Sequence, residues 1–127
     1  ALSINTFKSD YYDLAKSVAQ TMMKKVLHNG LPKGTLLNVN VPKCSASECS
    51  GYKITRQGSE YFLDELEKRE DPRGRQYFWM GGKIINNDKS DDQDGNALAN
   101  NWISVTPIQY KLTDNSFLDT LSDWGFE

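Results

Sequence analysis

The chain has 127 residues, enough for one small domain, and its 38% hydrophobic and 25% charged composition is that of an ordinary globular protein. A formal net charge of -2, with 15 Lys and Arg scattered along the chain, gives no electrostatic reason to expect a nucleic-acid binder, which usually shows a basic patch. No apolar run approaches the roughly 20 residues that cross a bilayer, and no signal-peptide pattern is written at the start. Neither a nucleic-acid polymer nor a membrane is therefore expected as a partner, and the expected compartment is the cytoplasm.

Ala1-Leu2-Ser3-Ile4 has no initiator Met and reads as the end of a buried strand with neighbours on both sides. A cut or processed start is the expectation. A helix follows over residues 10–28, where Tyr11, Leu14, Ala15, Val18, Ala19, Met22 and Val26 recur at steps of three and four to make one apolar face. Ser9 is its expected cap and Asp10 suits the positive end of the dipole. Lys24, Lys25 and His28 suit the negative end, and Asn29-Gly30 before Pro32 stops the helix. His28 thus has a structural reading that outweighs a catalytic one.

Residues 35–42 alternate. Leu37, Val39 and Val41 point one way and Asn38 and Asn40 the other, as in a strand with one dry face. A helix entering a strand through a short Gly/Pro loop is an α/β signature. Cys44 and Cys49 fall in a polar loop, and His28 is the only further soft donor, short of the four ligands of a structural zinc site. Free loop thiols are the expectation, since two cysteines alone do not establish a disulfide.

From Tyr52 the character changes. Residues 52–56 read as a strand and residues 60–69 as extended. Asp71-Pro72-Arg73-Gly74 is a turn signal, because Pro presets its first corner and Gly tolerates its exit. Gln76-Tyr77-Phe78-Trp79-Met80 returns as an aromatic strand ending at Gly81-Gly82. Together these segments predict a long hairpin, which is marginal alone in water and whose aromatic face calls for a partner surface. A polar acidic loop follows over residues 86–95, then a helical turn over 96–100. Residues 102–108 form a further strand closed by Pro107. The last short helix is capped by Asp114, with Phe117, Leu118, Leu121 and Trp124 on its apolar face.

The chemistry written in these residues is sparse. Ser90-Asp91-Asp92-Gln93-Asp94-Gly95 imitates the opening of a calcium loop, but Asn101 stands where a bidentate Glu is needed and no helix precedes it. A solvated acidic loop is the expectation. One histidine in a helix tail supports no nucleophile–base set, and no Gly-rich phosphate cradle is present. Arg56 and Arg73 are cations that could meet a phosphate, although turn geometry and carboxylate pairing explain them as well.

Taken in order, Ala1-Leu2-Ser3, Leu31-Pro32-Lys33-Gly34-Thr35-Leu36-Leu37-Asn38-Val39-Asn40-Val41-Pro42, Thr55-Arg56-Gln57-Gly58, Asp71-Pro72-Arg73-Gly74-Arg75-Gln76-Tyr77-Phe78-Trp79 and Ser104-Val105-Thr106-Pro107-Ile108 closely resemble the C-terminal half of the SurE family (survival protein E), the 5'/3'-nucleotidases. The resemblance implies a divalent-metal (Mg or Mn) phosphomonoesterase acting on nucleoside monophosphates, with short polyphosphate as a further substrate. It implies the C-terminal part of a Rossmann-like α/β fold, with a β-hairpin arm and a C-terminal helix exchanged between subunits of a dimer or tetramer. On that reading residues 1–51 are the edge of the α/β core, residues 52–82 the hairpin arm, and residues 83–127 the acidic loop, returning strand and C-terminal helix. Tyr52, Ile54, Tyr77, Phe78, Trp79, Phe117, Leu121 and Trp124 become the assembly residues.

The family's metal motifs, a paired Asp after the first strand and Ser and Asn from later loops, have no counterpart here, and Asp91-Asp92 does not follow a core strand. No catalytic or metal residue is therefore assigned within this chain, no cofactor is expected to bind it alone, and Arg56 and Arg73 remain candidates for the substrate rim. The competing reading is a non-catalytic oligomerisation or binding domain of the same fold.

Overall fold

The computed structural model describes residues 1–7 and 11–125. In chain order its elements are β1 (Leu2–Ile4), α1 (Tyr12–Asn29), β2 (Thr35–Val41), β3 (Gly51–Ile54), β4 (Tyr61–Glu70), β5 (Gln76–Ile85), α2 (Asp94–Ala99), β6 (Trp102–Gln109) and α3 (Leu118–Ser122). One four-stranded sheet has the order β1-β2-β6-β3, and β4 and β5 pair apart from it. β1 runs parallel to β2, β2 antiparallel to β6, and β3 parallel to β6. The expected mixed α/β class is what the chain adopts.

Period-two alternation explains the core. Val39 and Val41 of β2 and Ile103 and Val105 of β6 are buried on one face, where Ala15 and Val18 of α1 close over them. Ile4, Leu14, Met22 and Leu37 fill the margin. α1 ends as the sequence predicts: Gly30 takes the left-handed φ of 71° and its N–H donates to Val26 O at 2.9 Å. His28 lies exposed in the last turn, against the negative end of the dipole. Tyr11 occupies the N-cap without a side-chain bond, and Asp13 is the acid of the first turn. The expected cap Ser9 and its neighbour Asp10 lie outside the described residues.

Several boundaries depart from the sequence reading. Among the described residues β1 pairs with β2 alone, not on both sides. β3 belongs to the core sheet, Tyr52 opposite Ile103 and Ile54 opposite Val105. It is no part of the hairpin, in which β4 and β5 pair with each other from Tyr61↔Ile85 to Glu70↔Gln76. β5 runs through Gly81-Gly82 to Ile85, and these glycines do not end it. At Gly82, with φ 150°, a Cβ would sit 2.5 Å from both Leu63 O and the Phe62 ring, so Gly there lets Phe62 cross the ladder. β6 likewise continues past Pro107 to Gln109. Pro107 pairs with Leu37 but lies beyond the Trp102–Val105 stretch matched by β3, where a missing N–H breaks no ladder on that side.

Two helical ends also differ. α2 begins at Asp94, earlier than the predicted turn. Asp114 does not cap α3, whose N-cap is Phe117. It closes the preceding turn, accepting from the Ser116 N–H at 3.0 Å while its carbonyl accepts from Phe117 N–H at 3.3 Å. At the hairpin tip the predicted turn is present: Asp71 carboxylate accepts from the N–H groups of Arg73 and Arg75 at 2.8 and 2.9 Å, and Gly74 has φ 78°.

Val105 tests the core directly, since it is buried between both neighbouring strands under α1. Val105→Ala is expected to cost about 1–3 kcal/mol in urea unfolding at unchanged m-value. A loss below about 0.5 kcal/mol, the usual range of a surface change, would contradict this placement.

Candidate functional site

The face of the sheet turned away from α1 is polar. Ser3, Asn40, Ser104 and Lys53 stand in one row across all four strands. Ser3 Oγ donates to Asn40 Oδ1, and Asn40 Nδ2 donates to Ser104 Oγ at 3.4 Å. Beyond them Thr55 and Thr106, both buried, share a hydroxyl hydrogen bond of 2.8 Å. Ser104 and Thr106 alternate with Ile103 and Val105, so they face away from α1, and α2 is the helix packed on β6 there, with Ala97 buried. Burying hydroxyls is tolerable because they are paired. The asparagines of β2 accordingly form part of a polar sheet face, as their alternation predicts.

Thr55 leads directly into the best-defined polar cluster. Arg56 Nε donates to both carboxylate oxygens of Asp92 at 3.1 Å, and its Nη2 reaches Asp88 and the Ser90 hydroxyl. Backbone bonds fasten the same place: Arg56 N–H donates to Asp92 O at 2.9 Å and Asp94 N–H donates to Arg56 O at 3.1 Å. Asp88 and Asp92 raise the Arg56 pKa. Ser90, through hydroxyl and N–H, and then Arg56 hold the Asp88 carboxyl down to about 2. Ser90 and Arg56 also lower Asp92. The expected solvated acidic loop is therefore a tethered one. Its carboxylates are spent on Arg56, on Lys53 (which meets Asp91 at 3.7 Å) and on backbone N–H groups, not gathered around a cation site. Among the described residues no group of three or more His, Cys, Asp or Glu side chains converges as a metal cluster. A divalent metal thus finds no fitting donor set in these residues.

Sequence reasoning missed this cluster because Arg56 and Asp88 are far apart in the chain and each alone reads as surface charge. The available signal was Gln93, an amide between carboxylates, which proves to be completely buried.

The two arginines assigned to a substrate rim part company. Arg56 is committed to the acidic loop, and Arg73 sits at the hairpin tip, making no ion pair among the described residues. The assembly candidates are also divided by the fold. Alternation puts Tyr77 and Trp79 on one face of the hairpin and Phe78 on the other, opposite Lys68, so the hairpin has two apolar faces and no single aromatic one. Every residue of β4 is exposed, and Phe78, Trp79 and Met80 remain 63%, 56% and 70% accessible. Arg69 lies over the Trp79 ring at 5.1 Å and pairs with Glu67. Tyr52 and Ile54 extend the α1 side of the sheet beyond the helix, where both are exposed. Phe117 and Trp124 of the C-terminal segment meet edge to face at 5.8 Å, with Leu121 between them in sequence and half-buried. An open apolar groove lined by Leu2, Met22, Met23, Val26, Leu31 and Leu36 runs between β1 and α1.

Cys44 and Cys49 are free thiols in the loop between β2 and β3, as expected, but Cys44 is buried within it. Burial, then Cys49 and Glu48 beside it, push its thiol pKa up, which makes it a poor nucleophile.

Because the Asp88 pKa is depressed in the folded state, its contribution to the junction is present above the ordinary Asp value of about 3.9 and is lost as pH falls through about 2. A carbon-13 titration of the side-chain carboxyls is expected to place Asp88 near 2. Arg56→Gln should move that midpoint upward. An Asp88 midpoint at the ordinary value would contradict the junction.

Known proteins share this architecture. The profile of the family described as Survival protein SurE matches residues 1–64. The 5'-nucleotidase SurE of Christiangramia forsetii is 41% identical over 90% of this chain and 44% of its own length. That of Natranaerobius thermophilus is 38% identical over 100% of this chain and 51% of its own. Among solved structures, the SurE protein from Aquifex aeolicus superposes with a TM-score of 0.81 at 29% identity, covering 98% of this chain and 50% of the other. The chain spans about half the length of the curated relatives it matches. The family profile takes in the helix and all strands up to the start of β4, and the longer alignments carry the likeness through the hairpin to β6. On this sequence and fold evidence the chain belongs to the SurE family.

Proposed function

We propose that this chain serves a metal-dependent phosphomonoesterase that hydrolyses nucleoside 5'- and 3'-monophosphates, with short polyphosphate as a secondary substrate. The observation that carries the reading is the 41% identity, over 90% of the chain, to a protein named 5'-nucleotidase SurE. Within that enzyme we assign this chain the half that frames and assembles the site. The metal, Mg²⁺ or Mn²⁺, would polarise the phosphate, and its ligands would come from residues outside these 127. Arg73, exposed and with its guanidinium in no ion pair among the described residues, is the better of the two candidates for a substrate rim.

The assembly role rests on exposed apolar area. A two-stranded hairpin is barely stable in water by itself, yet β4 and β5 present Phe62, Leu66, Phe78, Trp79 and Met80 to solvent. A second copy covering these residues, together with Tyr52, Ile54, Tyr77, Phe117, Leu121 and Trp124, would remove that exposure and make a dimer or tetramer. The cytoplasm is the proposed location; among the described residues no helix is long and apolar enough to cross a membrane.

Phosphate release from nucleoside monophosphates with Mg²⁺ or Mn²⁺ tests the division. The chain alone is expected to show no metal-dependent turnover, whereas a protein joining it to the half its relatives possess should turn over. Turnover by the chain alone, or none by the joined protein, would contradict the reading. Light scattering tests assembly: the double variant Phe78→Asp, Trp79→Asp is expected to reduce an oligomer to monomers, and an unchanged mass would refute the role given to the hairpin.

A further inference from the structure

Both roots of the hairpin are sewn to one place. Asn86, just after β5, shares the two hydrogens of its Nδ2 among Glu60 Oε1 at 2.8 Å, Gln93 Oε1 at 3.0 Å and Asn96 Oδ1 at 3.1 Å. Glu60 lies just before β4, so this one amide joins the two strands' roots to each other and to α2. Asn96 Nδ2 then donates to the carbonyls of Asp88 and Ser90 at 2.9 and 2.8 Å, holding the outgoing loop. On the incoming side Gly58 N–H donates to Asp94 Oδ1 at 2.9 Å. Gln93 is fully buried at the centre, and its Nε2 has no hydrogen-bond partner among the described residues.

The packing is as tight as the bonding. A Cβ at Gly58 would lie 2.2 Å from Gln93 Nε2, and one at Gly95 would lie 2.1 Å from Glu60 Oε1. Backbone therefore rests directly on the two side chains that Asn86 joins. Beyond these roots no comparable attachment is present among the described residues: β4 is exposed along its whole length, and β4 and β5 pair with each other.

We propose that this buried amide node is a clamp that sets the direction in which the hairpin leaves the core, holding residues 58–60 and 86–90 against α2 as one rigid root. The long lever it steers carries the exposed apolar side chains, so a small opening at the root moves them far. The clamp is separable from the core because its bonds are polar and local, whereas β2 and β6 are held by their own ladder and by α1. It is also independent of nucleotidase activity, since its readouts are a distance and amide exchange.

The test uses fluorophores introduced at positions 25 and 73, both exposed, one on α1 and one at the hairpin tip. Single-molecule energy transfer should give one narrow distance distribution in the parent chain. Asn86→Asp replaces the shared donor by a second carboxylate facing Glu60, and should broaden or displace that distribution. Amide exchange at Gly58 should rise about tenfold or more, as expected for losing several hydrogen bonds, while Val39 and Val105 stay unchanged. Gly58→Ala should act in the same way. Gly81→Ala is the matched control, since its Cβ meets only Glu65 O at 3.7 Å, and it should leave the distance distribution as it is. If Gly58→Ala fails to fold, Asn86→Asp still decides. An unchanged distance distribution in Asn86→Asp would overturn the proposal, and so would acceleration of Val39 and Val105 equal to that of Gly58.

Discussion

β6 meets β2 on one edge and β3 on the other, and its two faces are asked to do different things. Ile103 and Val105 turn towards α1 and complete the apolar core with Val39 and Val41. Ser104 and Thr106 turn the opposite way, are buried as deeply, and are matched to Asn40 and Thr55 by hydrogen bonds. A slip of register by one residue would drive hydroxyls into the apolar layer and valines onto the polar one. That penalty fixes the alignment of β2, β3 and β6, and through β3 and α2 it fixes where the chain enters and leaves the hairpin.

From that alignment the polar junction follows. β3 delivers Thr55 and Arg56 to the end of the sheet, while the segment before β6 returns as α2 and brings Gln93 and Asp94 alongside. Arg56 then neutralises Asp88 and Asp92, which would otherwise repel across a short acidic loop. Exposed ion pairs of this kind contribute little to global stability. Their consequence is local order: the loop joining hairpin to core is held in one conformation. The fold thus divides into a packed core that sets register, a polar hinge region that sets direction, and an exposed hairpin that carries apolar surface.

How far the sequence reveals this division depends on the range of the forces involved. α1, β2 and the Asp71-Pro72-Arg73-Gly74 turn are legible because periodicity, Gly30 and Pro72 act locally. β3 is misplaced into the hairpin by sequence order, since nothing in Tyr52-Lys53-Ile54 says that its partner is β6, about fifty residues on. Gly81-Gly82 looks like a stop, yet its role depends on Phe62 crossing from the other strand. The Arg56 cluster is the hardest case. Its members are individually ordinary surface charges, and only the return of α2 beside β3 makes them a site. The family resemblance was legible because five short segments recur in order, which needs no knowledge of their contacts, and it agrees with the profile match over residues 1–64.

The most direct test of a core and a hairpin with separate stabilities is unfolding watched from each in turn. Single-tryptophan variants retaining Trp102 in β6 or Trp79 in β5 report the two parts. In dilute protein the Trp79 signal is expected to change at lower urea than the Trp102 signal, because the hairpin's ladder is exposed and the core's is buried. Coincident transitions for the two probes would show one cooperative unit and contradict the account.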